Sequence, residues 1–68
     1  MTVARVTEVI AASEKSFEEA IEMGISRANK TLKNVTGAWV KDQSMEISEG
    51  KITLYKVVLK ITFILNDS

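Results

Sequence analysis

The side chains that most often carry chemistry in proteins are missing here: the sequence contains no His and no Cys. That removes the commonest general base and the most nucleophilic side chain. It also removes zinc sites of the His/Cys type and any disulfide. Lys56 and Lys60 stand as amine nucleophiles by position only, since such a role needs a desolvated pocket that lowers the ammonium pKa. Gly24, Gly37 and Gly50 are isolated from one another, so no Gly-rich loop is available to cradle a phosphate. Asn34-Val35-Thr36 matches a glycosylation acceptor, which without an export signal reads as chance. Glu8 is expected to pair with a Lys or Arg, a ligand role being the lesser reading. The chain is therefore not read as an enzyme.

The elements that must position any site are readable from period and punctuation. Val3, Val6, Val9 and Ile10 are β-formers, and Arg5, Thr7 and Glu8 interrupt them, so Val3 to Ile10 reads as a strand. A helix is predicted from about Ser16 to Lys33. Ser16 and Glu19 have the S-x-x-E spacing of a capping box, in which each satisfies a backbone donor of the first turn. Phe17, Ala20, Ile21, Gly24, Ile25, Ala28 and Leu32 then recur at steps of three and four, forming one apolar stripe. Glu18, Glu19 and Glu22 come early and Arg27, Lys30 and Lys33 late, as the helix dipole favours. Gly24 lies on the stripe, where it costs roughly 1 kcal/mol against Ala; close approach to a strand is the expected compensation.

A second strand is predicted over Val35 to Ile47, with Gly37, Trp39, Lys41, Gln43 and Met45 on one face and Ala38, Val40, Asp42, Ser44 and Glu46 on the other. Ser48-Glu49-Gly50 is a turn signal. A third strand, Lys51 to Leu65, carries Tyr55, Val57, Leu59, Ile61, Phe63 and Leu65 as an unbroken apolar face. Its opposite face still holds Leu54, Val58 and Ile64. A sheet covered by one helix on one side should be polar on the other. The leftover apolar residues therefore read as a protein–protein contact rather than as scattered exposure. Subunit pairing would also cover the open sheet edges.

Size points the same way. Sixty-eight residues make a single domain, 1–68, which buries only about 60% of its unfolded surface. Without disulfides or a structural zinc site, oligomerisation is the remaining remedy, and an apolar fraction of 46% supplies the surface. Nine basic and nine acidic residues cancel, leaving no electrostatic footprint for nucleic acid or an anionic membrane. No 18-residue apolar run exists to span a bilayer. Met1 to Ile10 lacks a basic region followed by an apolar one, which reads against a signal peptide and makes a cytoplasmic location the expectation.

Specific segments carry a family resemblance. Ser13-Glu14-Lys15-Ser16-Phe17-Glu18-Glu19-Ala20 is similar to the S-x-x-S-[FW]-x-x-A start of the dodecin helix. Ala28-Asn29-Lys30-Thr31-Leu32-Lys33-Asn34-Val35 resembles its A-x-x-T-[LV]-x-N-[LV] exit. Val40-Lys41-Asp42-Gln43 and Gly50-Lys51-Ile52 look like the middle strand and hairpin, and Tyr55-Lys56-Val57 with Phe63 like the Y-Q-V…F ending. The resemblance runs through nearly the whole chain. It implies an α+β fold of β-α-β-β order, a three-stranded antiparallel sheet wrapped around one helix. It further implies twelve such subunits in a hollow shell of tetrahedral symmetry, a homododecamer. Typical members hold flavins in pairs at two-fold contacts, quench their photochemistry, and catalyse nothing.

The departures from that pattern bear on the ligand. The family's flavin-stacking Trp corresponds to Gly37, which offers no π-face. The family's flavin-bonding Gln corresponds to Lys56, which has donors and no acceptor. Trp39 falls two residues after Gly37, on the same face and roughly 7 Å further along. It either reaches into that cavity and stacks there or packs on a neighbouring subunit. The resemblance thus implies a two-fold pocket lined by Gly37, Trp39, Lys56 and Val58. Lys56 would meet a phosphate or carboxylate, and binding of FMN, riboflavin or FAD is expected to be weak or absent. The pattern without Trp and Gln is also similar to a calcium-binding branch of the family. Calcium takes six to eight hard oxygens, and Asp42 and Glu46, with Glu49 nearby, are the acidic residues at hand. They follow no EF-hand spacing, so copies from several subunits would have to gather, or Glu46 simply pairs with a cross-strand Lys. A third reading, from another class, is a small module that docks its sheet face on a different protein.

Overall fold

In the computed structural model, which describes residues 2–65, the four expected elements follow in order: β1 (Ala4–Ser13), α1 (Phe17–Thr31), β2 (Val35–Ser48) and β3 (Lys51–Ile64). All three strands form one antiparallel sheet of order β1-β3-β2. The α+β, β-α-β-β expectation is met. β3 takes the centre, where a strand is paired on both edges, and it is the strand with apolar residues on both faces. Val57, Leu59 and Ile61 are its fully buried side chains.

α1 lies across β1 and β3. Ala20, Gly24 and Ala28, spaced by four, are its buried positions. Phe17, Ile21, Ile25 and Leu32 pack around them at half-burial. The small residues let the helix come close. A Cβ on Gly24 would stand 2.8 Å from Leu59 Cδ1 and 3.2 Å from Ala11 Cβ, so the expected approach of Gly24 to a strand is realised. Phe17 meets Tyr55 of β3 edge to face, with ring centroids 5.1 Å apart.

Both ends of the helix differ from the sequence expectation. Ser16 is the N-cap, and its Oγ accepts the Glu19 N–H at 3.0 Å. The reciprocal half of the capping box is replaced: the Ser16 N–H donates to Ser13 Oγ at 3.4 Å, alongside the Lys15 N–H at 2.9 Å. Ser13 is buried, so its hydroxyl does locally what the longer Glu19 chain would do at greater entropic cost. β1 accordingly runs three residues past Ile10 to reach it. At the other end α1 stops at Thr31, short of Lys33. Leu32 turns extended, its N–H closing on the Ala28 carbonyl at 2.8 Å, and Asn34 adopts a left-handed φ of 63°. The Asn34 carbonyl then accepts the Ile64 N–H at 3.0 Å, leading the chain into β2.

The faces of β2 require a correction. Register shifts fall at Val35/Gly37, Val40/Asp42 and Glu46/Ile47. The first two add a residue to β2 and reset its alternation, and the third adds Thr53 to β3. Gly37 and Trp39 lie opposite Thr62 and Lys60, on the face turned away from α1. The shift after Val40 then puts Asp42, Ser44 and Glu46 opposite Val58, Lys56 and Leu54 on that same far face. Gln43 and Met45 pass to the helix side, opposite Val57 and Tyr55. They do not share a face with Trp39.

The helix does not reach most of β2, which is exposed from Thr36 to Ser48. Fifteen helical residues span about 22 Å, whereas fourteen-residue strands span about 48 Å. The hairpin therefore projects, and the molecule measures 54 × 19 × 13 Å. Leu54, Val58 and Ile64 on the far face are half-buried. They are joined there by Val6, Ile10, Trp39 and Ile52, with Ile10 at 68% exposure and Trp39 at 51%. The second apolar surface is wider than β3 alone suggested.

Candidate functional site

The far face is ordered in rows across β1, β3 and β2. Ala12, Lys56 and Ser44 make one row; Ile10, Val58 and Asp42 the next; then Glu8, Lys60 and Trp39; then Val6, Thr62 and Gly37. Gly37, Trp39 and Val58 thus fall in neighbouring rows. Lys56 lies one row beyond Val58 at the far end of this series, with six residues of β3, about 20 Å, between it and Thr62, the partner of Gly37. Nothing lies within 4 Å of a Cβ built on Gly37, so bare backbone borders the exposed indole of Trp39 on one side.

Glu8 organises the Trp39 row. Its Oε2 lies 3.1 Å from Lys41 Nζ and 3.4 Å from Lys60 Nζ, so the expected basic partner is in fact two. Lys41 follows Trp39 by two residues and keeps to its face, as the alternation from Trp39 predicts, within the bulge between Val40 and Asp42. The hydrogen bond from Lys41, then that from Lys60, holds the Glu8 carboxyl below the usual carboxylate range. The alternation of β2 puts Lys41 on the face of Trp39, but no period in the sequence announces its meeting with Glu8, since that needs the placing of β3 between β1 and β2.

Lys56 Nζ lies 3.6 Å from Glu46 Oε2, and Asp42 Oδ1 accepts the Gln43 N–H at 3.0 Å. Asp42 and Glu46 are four residues apart on β2, about 13 Å. Among the described residues no group of three or more His, Cys, Asp or Glu is placed to hold a metal. Lys56 and Lys60 both face carboxylates and are partly exposed, which is not the desolvated setting an amine nucleophile requires.

A second concavity, which the sequence reading did not foresee, opens between the free edge of β1 and α1. It has a volume of about 640 Å³ and is lined mainly by Val9, Ala11, Ala12, Met23, Gly24 and Ala28. No period or motif in the sequence signals it. No helix among the described residues is long and apolar enough to cross a membrane.

A single helix laid across a three-stranded sheet, with a far face that is apolar, aromatic and charged by turns, defines a small β-α-β-β protein. Residues 3–66 match the family model for dodecin. A dodecin from Thermus thermophilus is 34% identical over 61 residues, covering 90% of this chain and 88% of that protein. A crystal structure of a mutant of the Thermus thermophilus dodecin superposes with a TM-score of 0.93 at 32% identity over the full length of both chains. A calcium dodecin from Mycobacterium tuberculosis, described as calcium-chelating with a novel calcium-binding site, superposes with a TM-score of 0.81 at 30% identity, covering 97% of this chain and 94% of that one. This chain belongs to the dodecin family.

Proposed function

We propose that the protein is a non-catalytic binding and storage subunit, twelve copies of which close into a hollow shell that holds a small ligand at its two-fold contacts. The observation that carries the reading is the far face: an exposed Trp39 beside the bare backbone of Gly37, set among apolar residues that one chain leaves uncovered. Gly37, Trp39, Val58 and Lys56 are the residues assigned to the pocket. Flavins are the family's ligand, and FMN, riboflavin and FAD bind weakly here, because Gly37 and Lys56 stand where the family pattern has Trp and Gln. The protein acts in the cytoplasm, without nucleic-acid or membrane partners.

Two measurements test this. Twelve chains of 7.5 kDa give a native mass of about 90 kDa; a stable monomer or dimer would sink the shell. Riboflavin titrated against the fluorescence of Trp39 is expected to saturate at micromolar concentrations or above. Saturation at nanomolar concentrations would overturn the assignment of weak binding.

The likeness to the calcium dodecin favours a second reading. In it Asp42 and Glu46 from several copies converge on calcium across the assembly, supplying the oxygens that one chain does not gather. Calorimetry with calcium decides: heat that disappears in Asp42→Ala and Glu46→Ala supports it, and no heat with the unmodified protein ends it.

A further inference from the structure

We infer that the shelf beside Trp39 takes a planar aromatic ligand that carries an anionic group, and that Lys41 and Lys60, gathered by Glu8, select the anion. The inference rests on the ligand-binding reading above and moves the contact with the ligand's anionic group from Lys56, which Glu46 already engages, to Lys41 and Lys60. It starts from an imbalance: one carboxylate, Glu8, faces two ammonium groups at 3.1 and 3.4 Å, both on the same oxygen. Neither lysine has another carboxylate within ion-pair distance among the described residues. The cluster therefore carries one uncompensated positive charge. Each ammonium has three donors and gives one to Glu8, so both keep donors for a further acceptor.

Position makes that charge useful. Lys60 is the direct cross-strand partner of Trp39, and Lys41 follows Trp39 by two residues. Trp39 is half-exposed and is the only Trp in the sequence. On its other side Gly37 leaves open space, with Thr62 opposite. The result is a shelf about 7 Å deep along the strand, walled by an indole and bordered by a net cation. A flat ring can stack on the indole over Gly37 while its phosphate or carboxylate meets Lys60 and Lys41. The other charges on the face do not offset this. Lys56 is matched one to one by Glu46. Asp42 lies one row beyond Lys60, away from Gly37, with Oδ1 engaged by the Gln43 N–H.

The test compares ligands that differ only in a phosphate, riboflavin against FMN and adenosine against AMP, by quenching of the single Trp in the assembled protein. The phosphate-bearing member of each pair is expected to bind about ten-fold more tightly at low salt, and the preference should shrink as salt is added. Lys41→Gln and Lys60→Gln should each reduce it. Glu8→Gln should enlarge it, because it frees both ammoniums; a purely structural role for the cluster would not produce that increase. Equal binding within each pair overturns the inference and leaves the ligand-binding reading intact. An absence of quenching by FMN and AMP at millimolar concentration also overturns it, while native mass and the riboflavin titration judge the broader reading separately. A preference that survives in both lysine variants overturns the residue assignment.

Discussion

Gly24 of α1 and Leu59 of β3 meet so closely that a Cβ on the glycine would stand 2.8 Å from Leu59 Cδ1, with Ala11 Cβ at 3.2 Å on the other side. Leu59 is 1% exposed and has no solvent to swing into, and the Cβ of Ala11 is fixed to its strand. Replacing a mid-helix Gly by Ala gains about 1 kcal/mol of propensity, while overpacking a core costs about 1–3 kcal/mol. With both neighbours held, overpacking wins. Gly24→Ala is expected to lower stability by about 1 kcal/mol net in urea unfolding, and Gly24→Val by more. A raised unfolding midpoint for Gly24→Ala would mean that the helix can back away.

That contact was legible in advance, and the reason shows what kind of feature is. A glycine on an apolar helical stripe conflicts with propensity, and close packing is the physical resolution. The helix, its Ser16 cap and the buried face of β3 were equally legible, each resting on a local period. The faces of β2 past Val40 were not. Parity in a strand is held by burial of one face, and β2 is exposed on both, so nothing in its composition marks the bulge at Lys41. The grouping of Trp39 with Asp42 and Glu46 follows from that bulge. Ala11 and Ala12 are weak β-formers, yet they extend β1 because β3 offers a partner there, context overriding propensity. The separation of Lys56 from Gly37 became visible only with the cross-strand register.

Leu59 itself is the keystone on the sheet side, one of three fully buried large side chains. Leu59→Ala should cost about 2–5 kcal/mol through lost burial and the cavity left behind. In a domain this small, about 3 kcal/mol corresponds to a fall of roughly 12–24 °C in the unfolding midpoint. Circular dichroism on heating measures it. A fall of only a few degrees would mean that the helix collapses onto the vacancy.

The Glu8 cluster makes stability depend on acid. Lys41 and Lys60 depress the Glu8 pKa below its ordinary 4.5, so in the folded state the carboxylate holds its charge to lower pH than in the unfolded chain. The associated stabilisation is fully present above the unfolded value and is lost as pH falls through the folded one. Unfolding midpoints of the unmodified protein should therefore decline as pH falls through the ordinary carboxylate range and below it, and Glu8→Gln should flatten part of that decline. High salt should flatten it too, because the groups are exposed. An identical pH profile in Glu8→Gln would remove Glu8 from the account.

The β2–β3 hairpin closes through two residues, Glu49 and Gly50, both at positive φ, 51° and 77°. Two consecutive left-handed residues are the mark of the type I′ turn, whose twist matches the flanking strands and which favours Asn-Gly. Glu at the first position is strained, since a left-handed conformation costs an L-residue roughly 1–2 kcal/mol and Asn less. Glu49→Asn is expected to stabilise the protein by about 0.5–1 kcal/mol. Gly50→Ala should destabilise it by about 1 kcal/mol, although open space surrounds the added methyl. The two variants touch no packed neighbour, so opposite signs in chemical unfolding would trace the effect to backbone conformation alone. If Glu49→Asn left the midpoint unchanged, the turn would hold no strain to relieve.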